Sequence, residues 1–212
     1  MNLPNWLTVG RIIVTPLIAA LPFFPTAPAR LWAFLLFLAC VQTDWLDGYL
    51  ARKHKLETDL GKMLDPLADK LLLFGTFIPM FWLAKTMPFQ TPFVGEVGLP
   101  LWVVVVVLGR EITMTWFRQY ASRRGVIIAA IASAKWKTSV GGVWQGAAYC
   151  WFWFATLRTE ANVAPMWNWV DPALGAIGAA SLTLTFALTV YSLVIYARDY
   201  GRLLGTKPKA GA

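Results

Sequence analysis

Four aspartates stand at fixed spacings in the first third of the chain, and their side chains suit metal-dependent chemistry. Asp44 and Asp47 are three residues apart, and Asp65 and Asp69 are four apart. No histidine or cysteine accompanies them at ligand spacing, and an all-oxygen set favours a hard cation such as Mg²⁺ or Mn²⁺. Two such ions about 3.5–4 Å apart can clamp a diphosphate and stabilise both the attacking and the leaving oxygen. We therefore predict two divalent cations as cofactors.

The aspartates belong to a chain with the composition of a membrane protein. Of its 212 residues, 58% are hydrophobic and 14% are charged. A carboxylate at the centre of a membrane helix costs about 2.5–3.5 kcal/mol on insertion scales, so a cluster of four needs compensating cations. Long apolar segments, several of which approach the ~20 residues that cross a bilayer, cover residues 3–24, 31–43, 66–84, 99–109, 140–157 and 173–197.

These segments predict an all-α integral membrane protein with six transmembrane helices. The second and fourth segments are short, and we extend them through their polar flanks to Arg52 and Arg118. Residues 2–10 predict an N-terminal interfacial segment ahead of span one, with Trp6 at headgroup level. We expect a single membrane domain over residues 1–205 and a flexible basic tail over residues 206–212.

The basic residues predict the orientation of the chain. Of its 19 lysines and arginines, Arg30, Lys85 and Arg158 fall in the connections after spans one, three and five, which leaves 16 on or near the opposite side. By the positive-inside rule both termini are cytoplasmic. We expect a bacterial inner membrane, with the active site on its cytoplasmic side. The net charge of +8 then reflects topology and attraction to anionic membrane lipids, and no nucleic-acid partner is expected.

The four aspartates are predicted at the ends of two neighbouring helices. Asp44 and Asp47 share one face at the cytoplasmic end of span two. Asp65 and Asp69 stack on the first turns of span three, and Pro66 suits a helix start, where its missing N–H is not needed. Spans two and three are expected to be antiparallel neighbours, so the two pairs of carboxylates face each other.

Small and basic residues between the two pairs fit a bulky anionic ligand. Gly48 and Ala51 leave one helical face bare, so that a ligand can approach the backbone beside Asp47. Gly61 permits either a tight turn or a close helix contact. Arg52 offers a fork of donors that suits phosphate oxygens.

A second polar pattern precedes the aspartates. Asn5, Thr8 and Arg11 recur every three residues and so share one helical face. A helix cap with a snorkelling arginine explains this pattern as well as a role in the site does. The sequence leaves both interpretations open.

Residues 44–69 resemble the signature of the CDP-alcohol phosphatidyltransferases, D-x2-D-G-x2-A-R-x8-G-x3-D-x3-D, at all eight fixed positions. The resemblance implies six membrane helices, a homodimer, and two metal ions held by Asp44, Asp47, Asp65 and Asp69. It also implies that Asp69 is the general base. The residues assigned to the donor lipid, CDP-diacylglycerol, are Asn5, Thr8, Gly48, Ala51, Arg52, Thr58 and Gly61.

The reaction that this resemblance implies is transfer of a phosphatidyl group. An acceptor hydroxyl, deprotonated by Asp69, attacks the lipid-side phosphorus of CDP-diacylglycerol, and CMP leaves. A metal-bound carboxylate is a weakened base, because the cation favours its ionised form. Asp69 must therefore bind loosely or keep one oxygen free.

Three further segments resemble the phosphatidylglycerophosphate synthase branch of the family, whose acceptor is sn-glycerol 3-phosphate. They are Asn5-x-x-Thr8-x-x-Arg11, Arg110-Glu111-Ile112 and Lys135-x-Lys137-Thr138. The acceptor is a dianion, so we expect cations around its phosphate, namely Arg110, Arg118, Lys135 and Lys137. The two lysines are two residues apart and do not share a face, so one of them is expected to touch substrate. Glu111 either orients Arg110 or is an exposed helix residue.

Other functions remain open at this point. An inositol phosphate acceptor would use a similar basic pocket, whereas serine or choline would not need one. A divalent-cation transporter would place its carboxylates near the bilayer midplane, often on broken helices. That class gives no reason for Gly48, Ala51 and Arg52 at these spacings, so a transferase is preferred.

Overall fold

The computed structural model describes residues 3–54, 58–91, 95–124, 132–161 and 168–200. Within these ranges the chain forms six long helices and one short hairpin. In order they are α1 (Leu3–Ala20), α2 (Ala27–His54), α3 (Asp59–Thr86), β1 (Phe89–Thr91), β2 (Gly95–Val97), α4 (Leu101–Ser122), α5 (Ala132–Ala161) and α6 (Val170–Tyr200). The helical class is confirmed, with the antiparallel β1–β2 hairpin as an unpredicted addition. The predicted tail, residues 206–212, lies outside the described residues.

Three helices of the described part have both the length and the apolar composition to cross a membrane. They are Asn5–Phe23, Met63–Thr86 and Val170–Arg198, which match predicted spans one, three and six. Helices α2, α4 and α5 are 28, 22 and 30 residues long, which is sufficient, but they are less apolar. The six-span topology with cytoplasmic termini therefore stays a prediction.

The N-terminal segment is part of the first helix. We expected an interfacial segment followed by span one, but α1 runs without a break from Leu3 to Ala20. The face that carries Asn5, Thr8 and Arg11 is therefore rigidly continuous with the apolar part of the same helix.

The start of α3 differs from the prediction. The helix begins at Asp59, and its N-cap is Thr58, whose hydroxyl accepts a hydrogen bond from the Gly61 N–H at 3.0 Å. Pro66 therefore lies inside the helix, where its ring removes the bond to the carbonyl four residues earlier. The prediction of a helix start at Pro66 was wrong because a threonine cap, which satisfies an N–H left unpaired at the helix start, lies further upstream.

An apolar core holds the helices together. Rings from different helices pack in it, with centroids 4.5 Å apart for Phe77 and Trp144 and 5.3 Å apart for Phe37 and Tyr149. Many large apolar side chains instead cover the outside, among them the exposed tryptophans Trp6, Trp32, Trp82, Trp102, Trp116, Trp136 and Trp169. An apolar outer surface suits lipid contact, and tryptophan suits the membrane interface.

Side-chain contacts join the start of α1 to the start of α3, the first half of α1 to the second half of α2, the start of α5 to α4, and the end of α4 to the end of α6. The starts of α1, α3 and α5 and the ends of α2, α4 and α6 therefore share one end of the bundle, which we call the polar end. Helix α1 packs on both α2 and α3, whereas direct contact between α2 and α3 is sparse in the described part. This corrects the prediction that spans two and three are direct neighbours.

A glycine allows α1 to lie close to α3. A Cβ atom at Gly75 would lie 2.8 Å from Cγ2 of Thr15, which is closer than real Cβ contacts allow. The Thr15 methyl cannot easily rotate away, because its hydroxyl donates to the Arg11 carbonyl at 2.7 Å. The seam between α1 and α3 therefore depends on the missing side chain at position 75.

We expect Gly75→Ala to destabilise the protein by about 1–3 kcal/mol, because the added methyl overpacks this seam. Its thermal unfolding midpoint in detergent should fall below that of the wild type. Gly142→Ala is the matched control, since nothing lies within 4 Å of a Cβ at Gly142 and helix propensity alone should stabilise it. If the unfolding midpoint rose equally in both variants, the close contact between Gly75 and Thr15 would be contradicted.

Candidate functional site

The polar face of α1 is buried at the polar end of the bundle. Asn5, Thr8 and Arg11 are 4%, 1% and 3% exposed, respectively. Arg11 therefore does not snorkel to a surface. The structure therefore excludes the snorkelling interpretation and places this face among buried polar groups.

Arg11 is the centre of that site. Its guanidinium pairs with the Asp44 carboxylate of α2 and lies 3.4 Å from Asp69 Oδ1 and 4.0 Å from Asp65 Oδ1, both on α3. The three acidic side chains are each half exposed or slightly more, whereas the arginine is buried. Carboxylates from two helices thus converge on one cation that a third helix supplies.

Thr8 and Asn5 tie α1 to the first turns of α3. The Thr8 hydroxyl donates to Asp65 Oδ1 at 2.8 Å. The Asn5 amide pairs with the Thr58 hydroxyl, with Nδ2 and Oδ1 at 3.0 and 3.1 Å from Oγ1. A Cβ atom at Gly61 would lie 2.9 Å from Asn5 Oδ1, so this glycine serves a close helix contact.

For part of the predicted set the structure describes the backbone but not the side chains. These residues, which continue α2 beyond Asp44, are Asp47, Gly48, Ala51 and Arg52. Among the side chains that the structure describes, no three acidic, histidine or cysteine groups are gathered closely enough to hold an ion. The guanidinium of Arg11 lies between the carboxylates that are predicted to hold an ion.

The donor set nevertheless fits a hard divalent cation. Carboxylates are the ligands that such ions prefer, and Asp44, Asp65 and Asp69 already surround one positively charged group. Their exposed fractions leave room for further ligands from water or substrate. The contacts of the Arg11 guanidinium show that these three carboxylates stabilise a positive charge between them.

A second charged cluster joins α4, α5 and α6. Arg110 donates to Glu111 Oε1 at 2.9 Å and to the Ser192 hydroxyl at 3.0 Å, and Lys137 pairs with the same Glu111 oxygen. Arg118 donates to the Tyr196 hydroxyl at 3.1 Å. Glu111 therefore orients Arg110, as one of the two sequence interpretations proposed.

Lys137 is buried just before the apolar segment of α5. Burial and the nearby positive charge of Arg110 lower the pKa of Lys137 to about 7, so its ammonium depends on an anionic partner. Glu111 provides that partner here. The Lys135 side chain lies outside the described residues.

Both clusters belong to the polar end. Arg110 lies near the middle of α4 and Arg118 in its second half. Lys137 lies in the first two turns of α5, and Asp44 lies in the second half of α2. An acidic group and a basic group thus lie at the same end of one bundle. This arrangement can hold a metal-bound diphosphate and a separate anionic phosphate.

Sequence reasoning did not predict the positions of three residues in the two charged clusters. For Arg11 the spacing of three residues from Thr8 and six from Asn5 was a signal, but its place at the centre of the aspartates was not predicted. Ser192 and Tyr196, which contact the basic residues of α4, lie in a long apolar helix, and nothing in the local sequence singles them out.

The comparison with known families agrees with the signature. Residues 1–191 match the sequence model for CDP-alcohol phosphatidyltransferases, and the match includes every signature position. The chain belongs to the CDP-alcohol phosphatidyltransferase family. The resemblance drawn from residues 44–69 is confirmed.

Individual relatives carry more specific names. CDP-diacylglycerol–glycerol-3-phosphate 3-phosphatidyltransferase 1 (chloroplastic/mitochondrial) of Arabidopsis thaliana is 35% identical over 96% of this chain and 64% of its own length. A cardiolipin synthase (CMP-forming) of Oryza sativa subsp. japonica is 34% identical over 96% of this chain and 59% of its own. CDP-diacylglycerol–glycerol-3-phosphate 3-phosphatidyltransferase of Bacillus subtilis is 36% identical over 65% of this chain and 70% of its own. The chain spans about three-fifths of the length of these two plant relatives.

We expect Thr8→Val to lower the thermal unfolding midpoint in detergent and EDTA by about 2–4 °C, because the bond to the half-exposed Asp65 is worth about 1 kcal/mol. Thr8→Ser retains the hydroxyl and should unfold close to the wild type. If the valine and serine variants unfolded at the same temperature, the bond to Asp65 would have no part in holding α1 on α3.

Proposed function

We propose that the protein transfers a phosphatidyl group from CDP-diacylglycerol to sn-glycerol 3-phosphate, giving phosphatidylglycerophosphate and CMP. The observation that carries this proposal is the convergence of the signature aspartates Asp44, Asp65 and Asp69 on one cationic centre. Membership of the family and the names of the Arabidopsis and Bacillus relatives support it.

On the donor side, Asp44, Asp47, Asp65 and Asp69 would hold two divalent cations, Mg²⁺ or Mn²⁺. Such ions neutralise the diphosphate and stabilise charge on its oxygens. The donor lipid would lie against Asn5, Thr8, Gly48, Ala51, Arg52, Thr58 and Gly61. In support, Asn5, Thr58 and Gly61 contact one another, and Thr8 donates to Asp65 close by.

Asp69 is the proposed general base. It is the most exposed of the three described carboxylates, at 61%, and it contacts Arg11 less closely than Asp44 does. A solvent-facing oxygen can accept the proton of the acceptor hydroxyl. The acceptor oxygen then forms a bond to the lipid-side phosphorus, and the bond from that phosphorus to the oxygen of CMP breaks.

The acceptor phosphate would bind at the second cluster, through Arg110, Arg118 and Lys137, with Lys135 close by. Two buried cations that share one carboxylate leave a positive excess there. A dianionic phosphate ester is the ligand that gains most from such a site. Inositol phosphate is an alternative acceptor of the same charge.

A lipid acceptor is a second candidate, because the rice relative carries the name cardiolipin synthase and matches the same share of this chain. Phosphatidylglycerol, the acceptor that such a reaction needs, bears a single negative charge on a phosphodiester. The buried basic cluster favours the dianionic monoester instead. A divalent-cation transporter is disfavoured, since the family consists of transferases.

We further propose a homodimer in a bacterial inner membrane, with the active site on the cytoplasmic side. The exposed apolar surface of the bundle supports a lipid environment. The excess of lysine and arginine at the polar end supports a cytoplasmic orientation.

The direct assay offers CDP-diacylglycerol and MgCl₂ in detergent micelles, with glycerol 3-phosphate, inositol phosphate, phosphatidylglycerol or glycerol as separate acceptors. We expect CMP release with glycerol 3-phosphate, no release with glycerol, and complete loss in EDTA that Mg²⁺ restores. Product with phosphatidylglycerol alone would favour the lipid acceptor. Full turnover after exhaustive chelation would contradict the metal-dependent mechanism.

Asp69→Asn should lower kcat by at least about 100-fold, because general-base catalysis contributes 10²–10⁴-fold and an amide cannot accept the proton. Binding of the donor lipid should persist, since three aspartates remain. Asp171→Asn, at the other end of the bundle, is the matched control and should keep its rate. A near-normal rate for Asp69→Asn would assign the base to another residue.

A further inference from the structure

We propose that Arg11 is an internal counter-cation of the acidic site, which holds the aspartates together without metal and competes with a divalent ion for their oxygens. This inference rests on the proposed metal-dependent function. It concerns a residue that lies outside the aspartate signature and on a different helix.

The contacts of Arg11 are those of a counter-ion at the centre of a cluster. The buried guanidinium reaches Asp44 on one neighbouring helix and Asp65 and Asp69 on the other. A planar group with several donors can serve partners in different directions, which a single ammonium cannot do as well. Arg11 thereby bridges α2 and α3, which touch each other only sparsely.

The site needs such a charge when no ion is bound. Three like-charged carboxylates at the end of an apolar bundle repel one another, and their separation would pull α2 and α3 away from α1. A buried arginine is itself costly unless anions compensate it. Arg11 and the aspartates therefore stabilise each other, and the metal-free site keeps its shape.

The same contacts oppose metal binding. An ion held between Asp44 and Asp69 competes with the guanidinium for the Oδ1 atoms that Arg11 now contacts. The positive charge of Arg11 also repels an incoming divalent cation at short range. Arg11 should therefore weaken metal affinity, keep the ion exchangeable, and move off these oxygens when the ion binds.

The test compares Arg11→Gln with the wild type, using Mn²⁺ as the probe in two measurements. Isothermal titration of MnCl₂ into metal-free protein in detergent should show affinity at least about tenfold tighter in the variant, because a like charge has been removed. Thermal unfolding in EDTA should fall by about 4 °C or more, and the deficit should shrink in saturating MnCl₂. The two readouts thus move in opposite directions, which a merely structural arginine would not produce.

Arg30→Gln is the matched control. Arg30 is as buried as Arg11 but lies outside the site, where it donates to the Pro22 carbonyl at 3.1 Å and pairs with Thr156. Its loss should lower stability equally with and without Mn²⁺ and leave the affinity for Mn²⁺ unchanged. Arg11→Lys retains the charge and should bind Mn²⁺ within about threefold of the wild type.

Equal or weaker Mn²⁺ binding by Arg11→Gln would overturn the proposal, as would a stability deficit that Mn²⁺ does not reduce. Failure of Arg11→Gln to fold even in MnCl₂ would overturn it too, because the ion should replace the missing charge. An Arg11→Gln protein that folds only with Mn²⁺ would support it. Absence of Mn²⁺ binding by the wild type would instead refute the metal-dependent function itself.

Discussion

Compensation of charge inside an apolar bundle is the constraint on which the structure depends. The chain gathers half-exposed aspartates at one end of that bundle, and it supplies the buried Arg11 from another helix to balance them. That buried guanidinium links three helices at this end of the bundle. The Thr58 cap and the glycines at positions 61 and 75 then let α1 approach α3 closely enough for the contact.

The basic cluster follows the same rule with the charges reversed. Glu111 lies between Arg110 and Lys137, so two buried cations share one internal anion. Each proposed substrate group would therefore meet a site whose charge is already partly neutralised. A ligand binds favourably there only if its charge exceeds that of the internal partner, which is Arg11 at the aspartates and Glu111 at the basic cluster. Divalent cations meet this condition at the first site, and a dianionic phosphate meets it at the second.

Sequence reasoning predicted the features that depend on local periodicity. The aspartate spacings indicated shared helical faces. The extension of spans two and four to Arg52 and Arg118 came within two and four residues of the observed ends at His54 and Ser122. Convergence of Asp44 with Asp65 and Asp69 was expected, and it is observed through Arg11.

The rest depends on packing between helices, which local patterns do not encode. The insertion of α1 between α2 and α3 was not predicted, because helix neighbours were assigned by chain order alone. The sequence spacing of Arg11 is the same for a snorkelling arginine and for one that contacts the aspartates. Only its burial in the structure distinguishes these two interpretations. Pro66 was misassigned because the threonine cap at Thr58 starts the helix further upstream, which leaves this exposed proline inside α3. Tyr196 and Ser192 face charged partners only because α6 packs beside α4.

The central claim is that the signature aspartates bind divalent cations at the place where Arg11 now compensates them. Anomalous diffraction from crystals grown with Mn²⁺ and CDP-diacylglycerol tests it most directly. The account predicts two manganese peaks bound by oxygens of Asp44, Asp47, Asp65 and Asp69, with the Arg11 guanidinium withdrawn from Asp44 and Asp69. Aspartates still paired with Arg11 and manganese bound elsewhere, or nowhere, would contradict it.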